Sequence, residues 1–136
     1  MKREYSVKFK LVIEASQHSA NVLHFTTGSN RDEPGSRIPV VYFVGHEKKL
    51  RIISDVNGDH NHADATVINE DVVDVLIQQV LEENKYLYQI IINNLKVHEV
   101  ENTQPQTYEN VTMYVSDPWS YEQPGYLIGL QFSAGL

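Results

Sequence analysis

Tyr5-Ser6-Val7-Lys8-Phe9-Lys10-Leu11-Val12-Ile13 places an apolar residue at every odd position and, through Lys10, a polar one at every even position. A period of two describes a strand with one buried and one wet face. The stretch Tyr86 to Ile92 repeats the pattern, with Tyr86, Tyr88, Ile90 and Ile92 on one side. Asn93-Asn94 then makes a tight turn into Leu95 to Val100, which predicts a hairpin. Working outward, strands are predicted at Val22 to Thr26, Ile38 to Val44, Lys49 to Ser54, Asn110 to Ser116 and Tyr126 to Phe132, with a short one at Ala65 to Ile68. Pro39 suits the start or edge of its strand. Polar loops are predicted at Arg31 to Ser36 and at Asp55 to Asp64, the second containing the turn dipeptide Asn57-Gly58. Nine or ten short strands at regular spacing predict an all-β sandwich or barrel.

Asn69 to Asn84 is ambiguous on pattern alone. Val72, Val73, Leu76, Ile77 and Val80 follow helical spacing, and Asn69 could cap such a helix. Val72, Val73, Val75, Ile77 and Val80 are β-branched, which favours a strand.

Composition bounds the function. The 136 residues suit a single domain, residues 1–136, with a core of its own. Eleven Lys and Arg against 18 Asp and Glu give a net charge of −7. That sign, with no basic stripe, argues against nucleic acid and anionic membranes as partners. Without cysteine there is neither a disulfide framework nor a thiolate metal site. No apolar run approaches the roughly 20 residues that span a bilayer, so no membrane insertion is expected. Met1-Lys2-Arg3-Glu4-Tyr5 carries the charges of a signal's first segment with no apolar stretch behind it. A secreted form would therefore carry its signal peptide outside this sequence.

Several phrases are more specific than generic β sequence. They are Val22-Leu23-His24-Phe25-Thr26-Thr27-Gly28, Arg37-Ile38-Pro39-Val40, and Lys49-Leu50-Arg51-Ile52 leading into Val56-Asn57-Gly58. Tyr88-Gln89-Ile90-Ile91-Ile92-Asn93, Lys96-Val97-His98 and Val111-Thr112-Met113-Tyr114-Val115-Ser116-Asp117-Pro118-Trp119 follow in that order. From Tyr5 to Phe132 the chain resembles a laminin-G-like, concanavalin-type module of cnidarian and other invertebrate secreted proteins. The resemblance implies a two-sheet antiparallel jelly roll, a strand over Val72 to Val80, and an extracellular setting. Related modules often carry cysteines where this chain has Arg31, Asp32 and Asn61 to Asp64, so its loops lack those bridges.

Asp55, Asn57 and Asp59 read like the first ligands of a calcium loop, but the EF-hand Gly and Glu are replaced by His60 and Thr66. A looser rim site for calcium, or a solvated turn, remains. His60 and His62 would point the same way in an extended loop and could hold zinc or copper, but no third ligand is identifiable nearby. His24 and His98 fall within strands and read as surface or half-buried residues. There is no Gly-x-Ser-x-Gly and no thiol, and the strand acids alternate outward, so no enzyme is expected. Trp119, with Tyr121, Tyr126 and Tyr114, is either a stacking platform beside Asp117 or a plug at one end of a sandwich.

The reading is a non-enzymatic extracellular module that binds a glycan or protein ligand. It would act through rim loops carrying Asp55, Asn57, Asp59, His60 and His62, and Asp117, Trp119 and Tyr121. The alternative is a carrier of a small hydrophobic ligand such as a carotenoid, in or between subunits of a homo-oligomer. It rests on Val72 to Leu81, which is apolar on both odd and even positions and so predicts a cavity or an interface.

Overall fold

A computed structural model describes residues 1–14, 19–28, 30, 33–115, 121–122 and 125–134. They form eleven strands: β1 (Tyr5–Ile13), β2 (Ser19–Thr26), β3 (Val40–Val44), β4 (Lys49–Val56), β5 (Asp59–Val67), β6 (Val72–Glu82), β7 (Lys85–Ile92), β8 (Leu95–Glu101), β9 (Thr112–Tyr114), β10 (Tyr121–Glu122) and β11 (Gly125–Ala134). No helix occurs among the described residues. The strands belong to two units, one spanning Met1–Ile13, Glu70–Thr107 and Gly125–Leu136, the other Glu14–Asn69 and Tyr108–Pro124.

The first unit is a sheet in the order β11-β1-β6-β7-β8, antiparallel throughout. Val7, Phe9 and Leu11 of β1 are buried, as the odd-position pattern predicts. The β6 segment is a strand: Val73, Val75, Ile77 and Gln79 face inward, and its helical spacing is a by-product of apolar residues on both faces. Its even positions Leu76 and Val80 are half-buried on the outer face, paired with Ile91 and Leu87 of β7. Left-handed backbone at Glu83-Asn84 and Asn93-Asn94 closes two tight hairpins, a conformation that asparagine tolerates well.

A buried amide pair fixes one end of this sheet. Asn102 Nδ2 donates to Gln79 Oε1 at 2.9 Å, and Asn102 Oδ1 accepts from the Gln104 amide at 3.0 Å. Gln79 Nε2 in turn donates to the Arg3 carbonyl at 2.7 Å, tying the N-terminal segment down. Asn102→Ala strands the buried Gln79 Oε1 and removes the acceptor of the part-buried Gln104 amide; it is expected to cost about 1–3 kcal/mol, read as a lower urea midpoint at unchanged slope.

The outer face carries a second ladder. Gln78 donates to Gln89 and Gln89 to Glu99, each at 2.7 Å, while Lys96 donates to the same Glu99 oxygen at 2.7 Å. The Lys96 bond first, and the Gln89 bond second, hold the Glu99 carboxyl below its ordinary value. A depressed folded pKa means stability present above the ordinary glutamate value and lost as pH falls through the folded one. Following the Glu99 carboxyl carbon by NMR should give a midpoint below 4.5, and Lys96→Ala should move it back up.

The second unit orders its strands β10-β2-β3-β4-β5, with β9 also on β2; β10 runs parallel to β2 and every other pair is antiparallel. One face is buried through Leu23, Val41, Phe43, Leu50 and Ile52. The segment expected as a polar loop from Asp55 to Asp64 is instead the β4–β5 hairpin. Asn57-Gly58 (φ 55° and 76°) is its two-residue turn, and the pairing continues to Val67. Strong turn chemistry within a polar stretch concealed an edge strand, whose exposed Ala63 and Ala65 give no strong apolar alternation.

Candidate functional site

The pairing register sorts the second sheet into two faces. Directly paired residues share a face, so Val44, Lys49 and Val67 form one cross-strand row, and Asn21, Tyr42, Arg51 and Ala65 the next. His24, Val40, Ile53 and Ala63 form a third. Arg51, Ala63, Ala65 and Val67 are exposed, and Tyr42, Val44 and Lys49 are half-buried. This face is open around Tyr42, Lys49 and Arg51, with alanines on its outer strand, while Asn21, His24, Val40 and Ile53 on the same face are buried.

One end of that face is walled. His24, fully buried, projects from it and meets the Ser36 carbonyl through Nε2 at 2.7 Å. A carbonyl can only accept, so the ring proton sits on Nε2 and the histidine holds the 33–38 segment in place. It is not the surface or half-buried residue expected from the sequence. His98 of the first sheet is half-buried, edge-on to Tyr88.

Arg37, carried by the same segment, donates from Nε to Asn30 Oδ1 at 3.0 Å and from Nη1 to Asn61 Oδ1 at 2.6 Å. A Cβ at Gly35 would meet Thr27 Cγ2 and Oγ1 at 2.9 Å and the Tyr108 ring at 3.2 Å, and the Tyr108 hydroxyl donates to Asp55 Oδ2.

The β4–β5 hairpin contributes the rest of the wall through a bulge. Ser54 pairs with His62 and Val56 with Asp59, so β5 advances three residues while β4 advances two. The extra residue leaves His60 and Asn61 together opposite Asp55. His60 Nδ1 lies 3.2 Å from Asp55 Oδ2, within ion-pair reach but outside hydrogen-bond alignment. Asp55 is only 6% exposed and its Oδ2 faces both partners, so it serves as an anchor.

The residues singled out from the sequence are therefore divided. Asp55 and His60 come together. Asp59 and His62 fall on the register of Val56 and Ser54, away from Asp55. Asp59 Oδ1 accepts from the Asn61 amide at 2.9 Å, and Asn57 sits exposed at the turn. By register Asp59 falls on the side of Val56 and His62 on the side of Ser54, whereas Asp55 and His60 lie together, with Asn57 in the turn. Among the described residues no group of three His, Asp or Glu side chains could hold a metal. Asp117 and Trp119 lie outside the described residues; so does the Tyr121 side chain, although its backbone is in β10.

Sequence reasoning missed Tyr42, Arg51, Arg37, Asn61 and Tyr108. The signal for the first two was present as polar positions alternating with buried ones in β3 and β4. Tyr42 and Arg51 are directly paired in the ladder, and neither side chain makes a hydrogen bond, ion pair or ring contact with any described residue. An aromatic ring next to a planar five-donor guanidinium is a stacking surface with directional donors, both open to a ligand.

On the first sheet, a depression of about 140 Å³ is lined by Glu4, Ser6, Gln78, Val80 and Ser133, among others. It is smaller than the roughly 300 Å³ at which pockets begin to enclose drug-sized molecules.

No family model matches the chain, and no curated protein matches it in sequence. Among solved structures it is similar to sheep galectin-11 in complex with glycerol. The identity is 12%, the match covers 98% of this chain and 92% of that one, and the TM-score is 0.58. At that identity the likeness speaks for the fold, and the fold expected from the sequence is met: this chain is a two-sheet, concanavalin-like jelly-roll β-sandwich of the kind seen in a galectin.

Proposed function

We propose that this protein is a non-enzymatic, extracellular glycan-binding module whose ligand lies on the open face of the second sheet. The observation carrying the reading is the paired Tyr42 and Arg51, uncommitted and exposed or half-exposed at the centre of that face. Sugar rings present apolar C–H faces that stack on aromatics and hydroxyls that need directed donors, and this pair offers both. The accessible rows are those of Lys49 and Arg51; beyond them Val40 and Ile53 are buried, and the Arg37–Asn61 and Asp55–Tyr108 contacts close that end. Exposed Ala63 and Ala65 keep the outer-strand side of this surface free of bulky side chains. The jelly-roll likeness to a galectin supports a lectin-like reading.

A glycan array followed by amide chemical-shift mapping tests it. Shifts should concentrate on β3, β4 and β5 around Tyr42, Arg51 and Ala65. Shifts confined to the Asn57–Asp59 turn would return the site to the rim loop expected from the sequence. No binding to any glycan would sink the reading.

A further inference from the structure

We infer that the glycan taken by this face is anionic, with carboxylate or sulfate groups bound by Arg51; the inference rests on the reading of the face as a glycan platform. Arg51 is exposed and its side chain makes no hydrogen bond or ion pair with any described residue. A guanidinium presents parallel N–H groups that match the paired oxygens of a carboxylate or sulfate, whereas a lone hydroxyl uses only one of them. Arg51 is thus over-equipped for a neutral sugar.

The charge around it points the same way. Along the same face Lys49 lies two residues from Arg51, held 3.7 Å from Glu47 of the preceding turn, and Arg37 stands at the walled end. Glu47 offsets Lys49 at the edge of this face, and Asp55 is withdrawn behind Tyr108 and His60 at 6% exposure, so Arg51 is the cation left without an acid beside it. Asp59 and Asp64 belong to the other side of β5, by their pairing with Val56 and Ile52. By register Glu122 of β10 shares the row of Arg51, but three strands away, about 14 Å at 4.8 Å per strand. In a chain of net charge −7, the centre of this face is locally inverted in sign. A free anion would be repelled by most of the surface and drawn to this part of it.

The test uses the full chain and polymers that share one backbone: chondroitin sulfate, its desulfated form, and its desulfated, carboxyl-reduced form. These are run beside an array of charged and neutral glycans. Charged ligands should bind at least about tenfold more tightly than neutral counterparts, with the advantage shrinking as salt rises. Arg51→Gln should erase that advantage and Arg51→Lys restore part of it, each with an unchanged melting curve. An advantage lost on desulfation assigns sulfate; one lost only on carboxyl reduction assigns the uronate. If neutral glycans bind as tightly as charged ones, with shifts on the same face, the anionic inference falls and the platform stands. If charged ligands bind equally well to Arg51→Gln, the inference also falls. Binding to nothing on the array overturns the platform reading itself.

Discussion

Tyr88→Ala is expected to remove about 3–5 kcal/mol of folding free energy. Tyr88 is fully buried and heads the largest wholly enclosed side chains. It sits in β7, paired with Gln79 on one side and Val100 on the other, with its ring edge-on to His98 at 6.0 Å. Neighbouring β-branched side chains such as Ile77 and Ile90 have few rotamers with which to collapse into the void. Domains of this size are held by only about 5–15 kcal/mol, so the variant should melt some 10–20 °C lower or fail to accumulate folded. Tyr88→Phe keeps the ring and isolates the hydroxyl, at about 1 kcal/mol. Urea unfolding checks both; a loss under 1 kcal/mol for alanine would mean that this core is not organised around Tyr88.

Tyr42→Ala should have the largest effect on binding, a loss of about 10–100-fold, because it deletes the stacking surface that the neighbouring alanines cannot replace. Stability should change little, since the side chain is half-exposed and bonded to nothing described. Tyr42→Phe keeps the ring and should bind nearly as well as the parent. Asn57→Ala and Asp59→Ala, at the hairpin tip, should leave affinity within about twofold. Calorimetric titration against a glycan identified on the array separates the two sites, because the opposite pattern would move recognition to the tip.

The strands of the first sheet are legible in the sequence because one face is wet and the other dry, so Tyr5 to Ile13 and Tyr86 to Ile92 announce themselves. β6 is not legible by period, since Leu76 and Val80 on its outer face spoil the alternation; the family resemblance, which implied a strand there, agrees with what the structure shows. The site was only partly readable. Alternation places Tyr42 and Arg51 outward, but their meaning comes from pairing across β3 and β4, which a linear sequence does not display. Tyr108 lies 53 residues from Asp55, so no local spacing could link them. The oxygens of Asp55, Asn57 and Asp59 alternate along the sequence, but Asn57 lies in the hairpin turn and Asp59 pairs with Val56, a division that linear spacing does not display.

The bulge in β5 sets how the hairpin can change length. Because His60 and Asn61 share one position opposite Asp55, deleting either would restore strict alternation, preserving the pairing of Ser54 with His62 and of Val56 with Asp59. The cost would fall on the wall alone, since a single residue would have to meet both Asp55 and Arg37. Removing one residue from the Asn57-Gly58 turn would slip every pair beyond it and turn Ala63 and Ala65 away from the face. Two adjacent sites in one short hairpin thus differ in what a one-codon deletion does: the first retunes a ligand's endpoint, and the second erases the floor on which the ligand lies.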